Sequence, residues 1–309
     1  MQTGRYRRQV ERSWRGTLRR GSGIHHPDCA LVRRSAFTIL ELLVVVGIMG
    51  MLMAIILPAV GSAREAARRT QCISQMRQIG IALHSYHEIS GCLPPGCQWE
   101  WTRQSAYGWN VPLLPFLEQS ATYQRLDRNR SLFDPVNEGS REAPMGLLVC
   151  PSDIADSTFM FYHDDSTATP GAPLFRVSTA SYVGVFGSVE PDEDPDPLNV
   201  PGDGAFIDGR SLRFADFQRG LSNTLFVGER TMERVPSTWV GFDIRADDGL
   251  CRLVGMAQTT PNCEPCDECE FSSRHHGGAM FLWGDGRVRM ISENVDSAEY
   301  QRFARRSSN

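Results

Sequence analysis

The chain has 309 residues, with 32 basic and 36 acidic side chains, a formal net charge of −4 and 41% hydrophobic content. That length admits one large domain or two small ones, and the acidic balance argues against a nucleic-acid partner, which needs a basic face. Charge is unevenly placed: residues 1–36 hold nine arginines (Arg5, Arg7, Arg8, Arg12, Arg15, Arg19, Arg20, Arg33, Arg34) against Glu11 and Asp28, so the front end is a separate object.

The next element is an apolar run. From Leu42 to Leu57 no side chain is charged or polar, and back to Phe37 only Thr38 and Glu41 interrupt. About 20 such residues cross a bilayer as a helix, so residues 37–57 are expected to be a transmembrane helix. The preceding arginine excess puts residues 1–36 in the cytoplasm and the bulk of the chain outside. A secretory signal peptide fits less well, because its core of about 7–15 residues is followed by a small-residue cleavage site. Here the small residue, Ala36, precedes the run and Pro58 follows it. Glu41 is the anomaly, since a carboxylate in a spanning helix costs roughly 2.5–3.5 kcal/mol. Either it lies near the interface and snorkels, or it meets a cation. A cut between Ala36 and Phe37 would create one, an α-amino group able to pair with Glu41 of a neighbouring copy.

The stretch RSAFTILELLVVVGIMGMLMAIILPAV (34–60) resembles the class III signal of type IV prepilins and type II secretion pseudopilins. The resemblance implies that Ala36, where the family usually has glycine, is the last leader residue. It implies further that Phe37 becomes an N-methylated terminus and that Glu41 serves subunit packing. The implied partners are a prepilin peptidase, other pilin-like subunits and the lipid of the inner membrane.

Beyond Pro58, Val60, Ala63, Ala67, Thr70, Ile73, Met76, Gly80, Leu83 and His87 recur at steps of three and four, one stripe of an amphipathic helix. SGCLPPG (90–96) stops it. Pro58 is a place for a kink. From residue 97 short apolar runs alternate with turn clusters, which reads as mainly β: ASYVGVFGSV (180–189), NTLFVGER (223–230), STWVGF (237–242) and GAMFLWGDGRVRMIS (278–292). The last is a hairpin about Gly284-Asp285-Gly286, whose Asp-Gly step supplies the positive φ of a tight turn. GWNVPLLPFLEQSATYQRL (108–126) is expected to hold a short helix, and the acidic, proline-rich stretch 189–204 to be an exposed loop. The expected fold class is α+β: a long N-terminal helix, transmembrane in its first half, forming the spine of a mainly antiparallel β head. The segments are a leader (1–36), the membrane helix (37–57), its continuation (58–90), the head (91–300) and a polar tail (301–309).

Six blocks in order, TQCISQMRQIGIALHSYHEISGCLPPG, WNVPLLPFLEQ, LLVCPSD, SYVGVFG, GLSNTLFVGER and SSRHHGGAMFLWGDGRVRMI, are together similar to a large family of unknown function. Its members begin with a prepilin-type segment and end in an H-x9-DG motif, here His275 to Asp285-Gly286. The resemblance implies a pseudopilin-like envelope protein. The alternative is a membrane-tethered solute- or glycan-binding module.

Nine cysteines are many for a cytoplasmic protein, and removal of Cys29 with the leader leaves an even number, which favours disulfides outside the cytoplasm. Candidates are Cys72, Cys150, Cys251, Cys263, Cys266 and Cys269. Cys72 and Cys150 lie in two of the family blocks, and a bridge between them would join helix to head. Zinc on Cys263-x2-Cys266-x2-Cys269 with Cys251, His275 and His276 is the less favoured use. His275 and Asp285 invite a base-and-acid reading, but a strand over 278–283 would hold them ~20 Å apart. A structural role is therefore expected, with Asp285 and Gly286 making the turn. The acidic loop lacks the spacing of a calcium site, and His84 and His87 are expected to pack a helix end. Without a P-loop, G-x-S-x-G or H-E-x-x-H motif, no enzyme activity, cofactor or metal is expected.

Overall fold

The computed structural model describes residues 37–164, 168–191, 202–233, 235–264 and 266–307. The chain divides into two units, Met1–Ile55 and Ile56–Asn309. The expected leader, with Ala36 and Cys29, and most of the acidic loop lie outside the described residues.

The first unit consists, among its described residues, of the start of helix α1 (Ile39–Ser90), whose assignment is unbroken across Pro58. Residues 37–64 are all exposed, and this helix is long and apolar enough to cross a membrane. Its start is fixed by a reciprocal cap: Thr38 donates from N and from Oγ1 to Glu41 Oε2, each at 2.9 Å, and Glu41 N donates to Thr38 Oγ1 at 3.2 Å. This is a T-x-x-E capping box, in which each residue satisfies a backbone donor of the other.

The second unit is α+β. After α1 come strands β1 (Cys97–Trp99) and β2 (Ser105–Gly108), a 3-10 turn Val111–Leu117, and helices α2 (Ser120–Arg125) and α3 (Glu138–Arg141). There follow β3 (Thr158–Tyr162), β4 (Pro173–Ala180), β5 (Tyr182–Gly187), β6 (Leu225–Glu229), β7 (Ser237–Thr238), β8 (Gly241–Asp243), β9 (Val254–Met256), β10 (Gly278–Trp283), β11 (Val288–Ser292) and helix α4 (Ser297–Ala304). They form a central sheet ordered β11-β10-β6-β5-β9 and two three-stranded sheets, β1-β2-β8 and β3-β4-β7. Among the described residues, all pairs of these strands are antiparallel except β5 with β9.

Alternation along the central strands separates two cores, because successive side chains of a strand point to opposite faces. On β10, Met280 and Leu282 join the large core with Cys72, Met76, Ile79 and Leu83 of α1, while Ala279, Phe281 and Trp283 join a second core with Tyr300 and Ala304 of α4. Helix and sheet approach closely at Gly80, where an added Cβ would stand 2.9 Å from Leu282 Cδ1. The buried stripe of α1 is narrower than expected: it runs through Cys72, Gln75, Met76, Ile79, Gly80, Ala82 and Leu83, while Val60, Ala63, Ala67 and Thr70 are exposed. The helix stops at Gly91, whose φ of 71° is left-handed and whose N–H donates to His87 O.

Candidate functional site

Cys72 enters the core from α1, with Gln75 and Met76 on the same face. The central sheet presents Tyr182 and Glu229 to it, cross-strand partners at the start of β5 and the end of β6. Two loops complete the group: Cys150 lies just past the turn Gly146–Leu148, and His275 precedes β10. Cys72, Cys150, Glu229 and His275 are 0, 1, 2 and 2% exposed. One ligand atom from each lies within 4.8 Å of all the others. Cys150 Sγ is 3.5 Å from His275 Nε2, and Glu229 Oε1 is 3.8 Å from both Cys72 Sγ and His275 Nε2.

A surrounding layer orients these side chains. His275 Nδ1 donates to Glu65 Oε1 at 2.7 Å, which turns Nε2 toward the sulfurs and Glu229. Glu65 is held in turn by Arg68 Nε at 2.9 Å. Ser273 Oγ at 2.8 Å and Met280 N at 3.4 Å donate to Glu229 Oε2, leaving Oε1 facing inward. The Tyr182 hydroxyl is 3.2 Å from Cys72 Sγ and 2.8 Å from Gln75 Oε1.

Burial raises the Glu229 carboxyl above its usual value, since an ion is poorly solvated there. Burial also opposes charge on His275, but Cys150, Glu229 and Glu65 outweigh it and push that imidazole up to about 9. For Glu65, burial is outweighed by the hydrogen bonds from His275 and Arg68, which hold it below the usual carboxylate value. The neighbouring Cys72 sulfur and burial push the Cys150 thiol up.

The residues singled out in the sequence divide among three places. Cys251 is joined to Cys269 and Cys263 to Cys266, so the cysteine cluster expected for disulfides or zinc is taken up in two disulfides. Cys72 and Cys150, expected as a bridge, are brought together but stand as thiols, with His275 and Glu229 around them. His275 and Asp285 fall at opposite ends of β10 and have separate partners. Asp285 sits in the hairpin turn, where Oδ1 accepts from Arg287 N at 3.1 Å and Gly286 has φ 85°. That turn borders a cleft of about 740 Å³ lined also by Arg77, His84 and Phe214. His84 lies 2.8 Å from Gly284 O, and His87 stacks on Phe214 at 3.6 Å, so both pack the helix end.

Glu65 and Glu229 were not foreseen. Glu65 lies off the apolar stripe and reads as a solvated charge. Glu229 closes a strand that is buried along its whole length, and a carboxylate there was the available signal, because such a group needs a partner. The two disulfides fit an extracytoplasmic head.

No curated protein and no solved structure matches the chain. Residues 61–298 match the family described as a protein of unknown function (DUF1559), and the chain belongs to that family.

Proposed function

We propose that this is a pseudopilin-like, non-enzymatic subunit of the inner membrane, processed by a prepilin peptidase and assembled through the first half of α1. The observation that carries this reading is the surface of residues 37–64, an apolar helix exposed along its whole length. Such a surface requires lipid or other helices to cover it. The basic leader places the N-terminus in the cytoplasm and the head outside. Glu41 fits an assembling helix better than a plain anchor. In the single chain it is held by the Thr38 cap, so it stands beside the Phe37 terminus at low cost. In a helical assembly the same carboxylate would take the charge of a neighbour's amine. A tethered solute-binding head is the second reading, but the open cleft beside Asp285 supports it weakly, since His84 and His87 are engaged in packing.

Single cysteines placed at exposed positions such as Val44 or Ile48, oxidised in native membranes with the full chain, test the reading. Helix-to-helix dimers and higher species are expected, and Glu41→Ala should abolish the ladder while leaving the chain in the membrane. A chain that stays monomeric at every position would rule out assembly through this helix, and a ladder indifferent to Glu41→Ala would rule out Glu41 as what holds it.

A further inference from the structure

We propose that Cys72, Cys150, Glu229 and His275 bind one zinc ion, which clips α1 to the head domain. The donor set is two sulfurs, an imidazole nitrogen and a carboxylate oxygen, a mixture suited to zinc rather than to magnesium or calcium, which favour oxygen alone. The spacing agrees. With Zn–S near 2.3 Å and Zn–N or Zn–O near 2.0–2.1 Å, the corners of a tetrahedral site stand about 3.3–3.8 Å apart. Three of the six edges are 3.5 Å between Cys150 Sγ and His275 Nε2 and 3.8 Å from Glu229 Oε1 to both Cys72 Sγ and His275 Nε2, and all six lie within 4.8 Å, so the four atoms would draw in slightly around the ion.

The second layer is what a metal site requires. Ligating histidines generally donate their other ring N–H to a carboxylate, which fixes the tautomer and aims the free nitrogen. Glu65 does this for His275. Glu229 is arranged as a one-oxygen ligand, with Oε2 held by Ser273 and Met280 and Oε1 turned inward. The Tyr182 hydroxyl is within hydrogen-bonding reach of Cys72 Sγ. The four ligands come from the helix, a strand end and two loops, so one ion would join segments that meet only in the folded head. All four are buried, which leaves no coordination position for a substrate, so the site is structural. Two adjacent thiols in a chain that carries two disulfides also need protection from oxidation, and coordination provides it.

The test uses full-length protein purified in detergent without chelator or reductant, with metal content and intact mass measured on the same sample. One zinc per chain is expected, with Cys72 and Cys150 unbridged. Cys72→Ser and His275→Ala should lose the zinc, and Cys92→Ser, outside the cluster, should keep it. Cobalt exchanged for the zinc should show thiolate charge-transfer and tetrahedral bands. Glu65→Gln leaves all four ligands in place, so the protein should fold with zinc affinity reduced roughly 10–100-fold, a change in metal binding that a purely structural contact would not produce. The proposal falls if Cys72 and Cys150 are found joined with two hydrogens lost and no metal. It falls equally if reduced wild-type protein takes up no Zn²⁺ on titration, or if the zinc persists in Cys72→Ser. These outcomes do not depend on how the N-terminus is processed.

Discussion

Glu270 gives the head a pH dependence that can be worked out in advance. Its side chain is buried, with Oε1 accepting from Gln258 N at 3.1 Å and Thr259 N at 2.6 Å. Burial outweighs those two bonds and pushes the carboxyl from 4.5 up to about 7. Because the folded value exceeds the unfolded one, folding holds the proton. Its contribution to stability is therefore complete below about pH 4.5 and is lost as pH rises through about 7. At about 1.4 kcal/mol per pH unit the full effect is roughly 3 kcal/mol. Glu270→Gln keeps the shape and cannot ionise. Denaturant unfolding of the full chain in detergent, followed by tryptophan fluorescence, should find the two proteins equally stable near pH 4. Near pH 8 the variant should be more stable by as much as roughly 3 kcal/mol. Parallel pH profiles for wild type and variant would refute the reasoning, since other titrating groups act equally on both.

Three other outcomes follow from the packing and the cap. Gly278→Ala should be among the most damaging single changes in the head, because φ is 148° and the new Cβ would stand 1.9 Å from Ile291 O. Gly139→Ala, where φ is not positive and nothing lies within 4 Å, should cost far less, and thermal unfolding compares the two. Ile79→Ala should destabilise the head by about 2–5 kcal/mol, whereas Ile81→Ala, exposed on the same helix, should change stability by less than about 0.5 kcal/mol. Thr38→Ala removes the hydroxyl of the helix cap and should lower helicity of a synthetic 37–60 segment in micelles at a cost of about 1 kcal/mol.

The elements with a strong period were legible in the sequence. The apolar run gave α1 to within two residues at its start, and the alternation in 278–292 gave the β10–β11 hairpin with Gly286 in its turn. The short turn-and-helix at 111–125 was legible too. STWVGF was only partly so: it divides into β7 and β8 at separate sheets, because Trp239 and Val240 enter the core between them. The β3–β4 pair was missed, although Pro170-Gly171 between its strands is a turn signal, because PLFRVSTA alternates only in part. The polar cluster was the least legible part. Its members are separated by up to 203 positions, from Cys72 to His275, and only the register of β5 with β6 and the face of α1 bring them together. The local C-x2-C-x2-C pattern drew attention to the cysteines that pair among themselves, while the thiols that meet histidine and glutamate carry no local pattern.

The central claim rests on what the N-terminus becomes. Intact-mass and N-terminal peptide mass spectrometry of the protein taken from its native membrane tests it most directly. The account predicts a chain that begins at Phe37 with one added methyl group and lacks residues 1–36. A retained leader, or a cut elsewhere than between Ala36 and Phe37, would contradict it and reduce residues 37–57 to an anchor for the head.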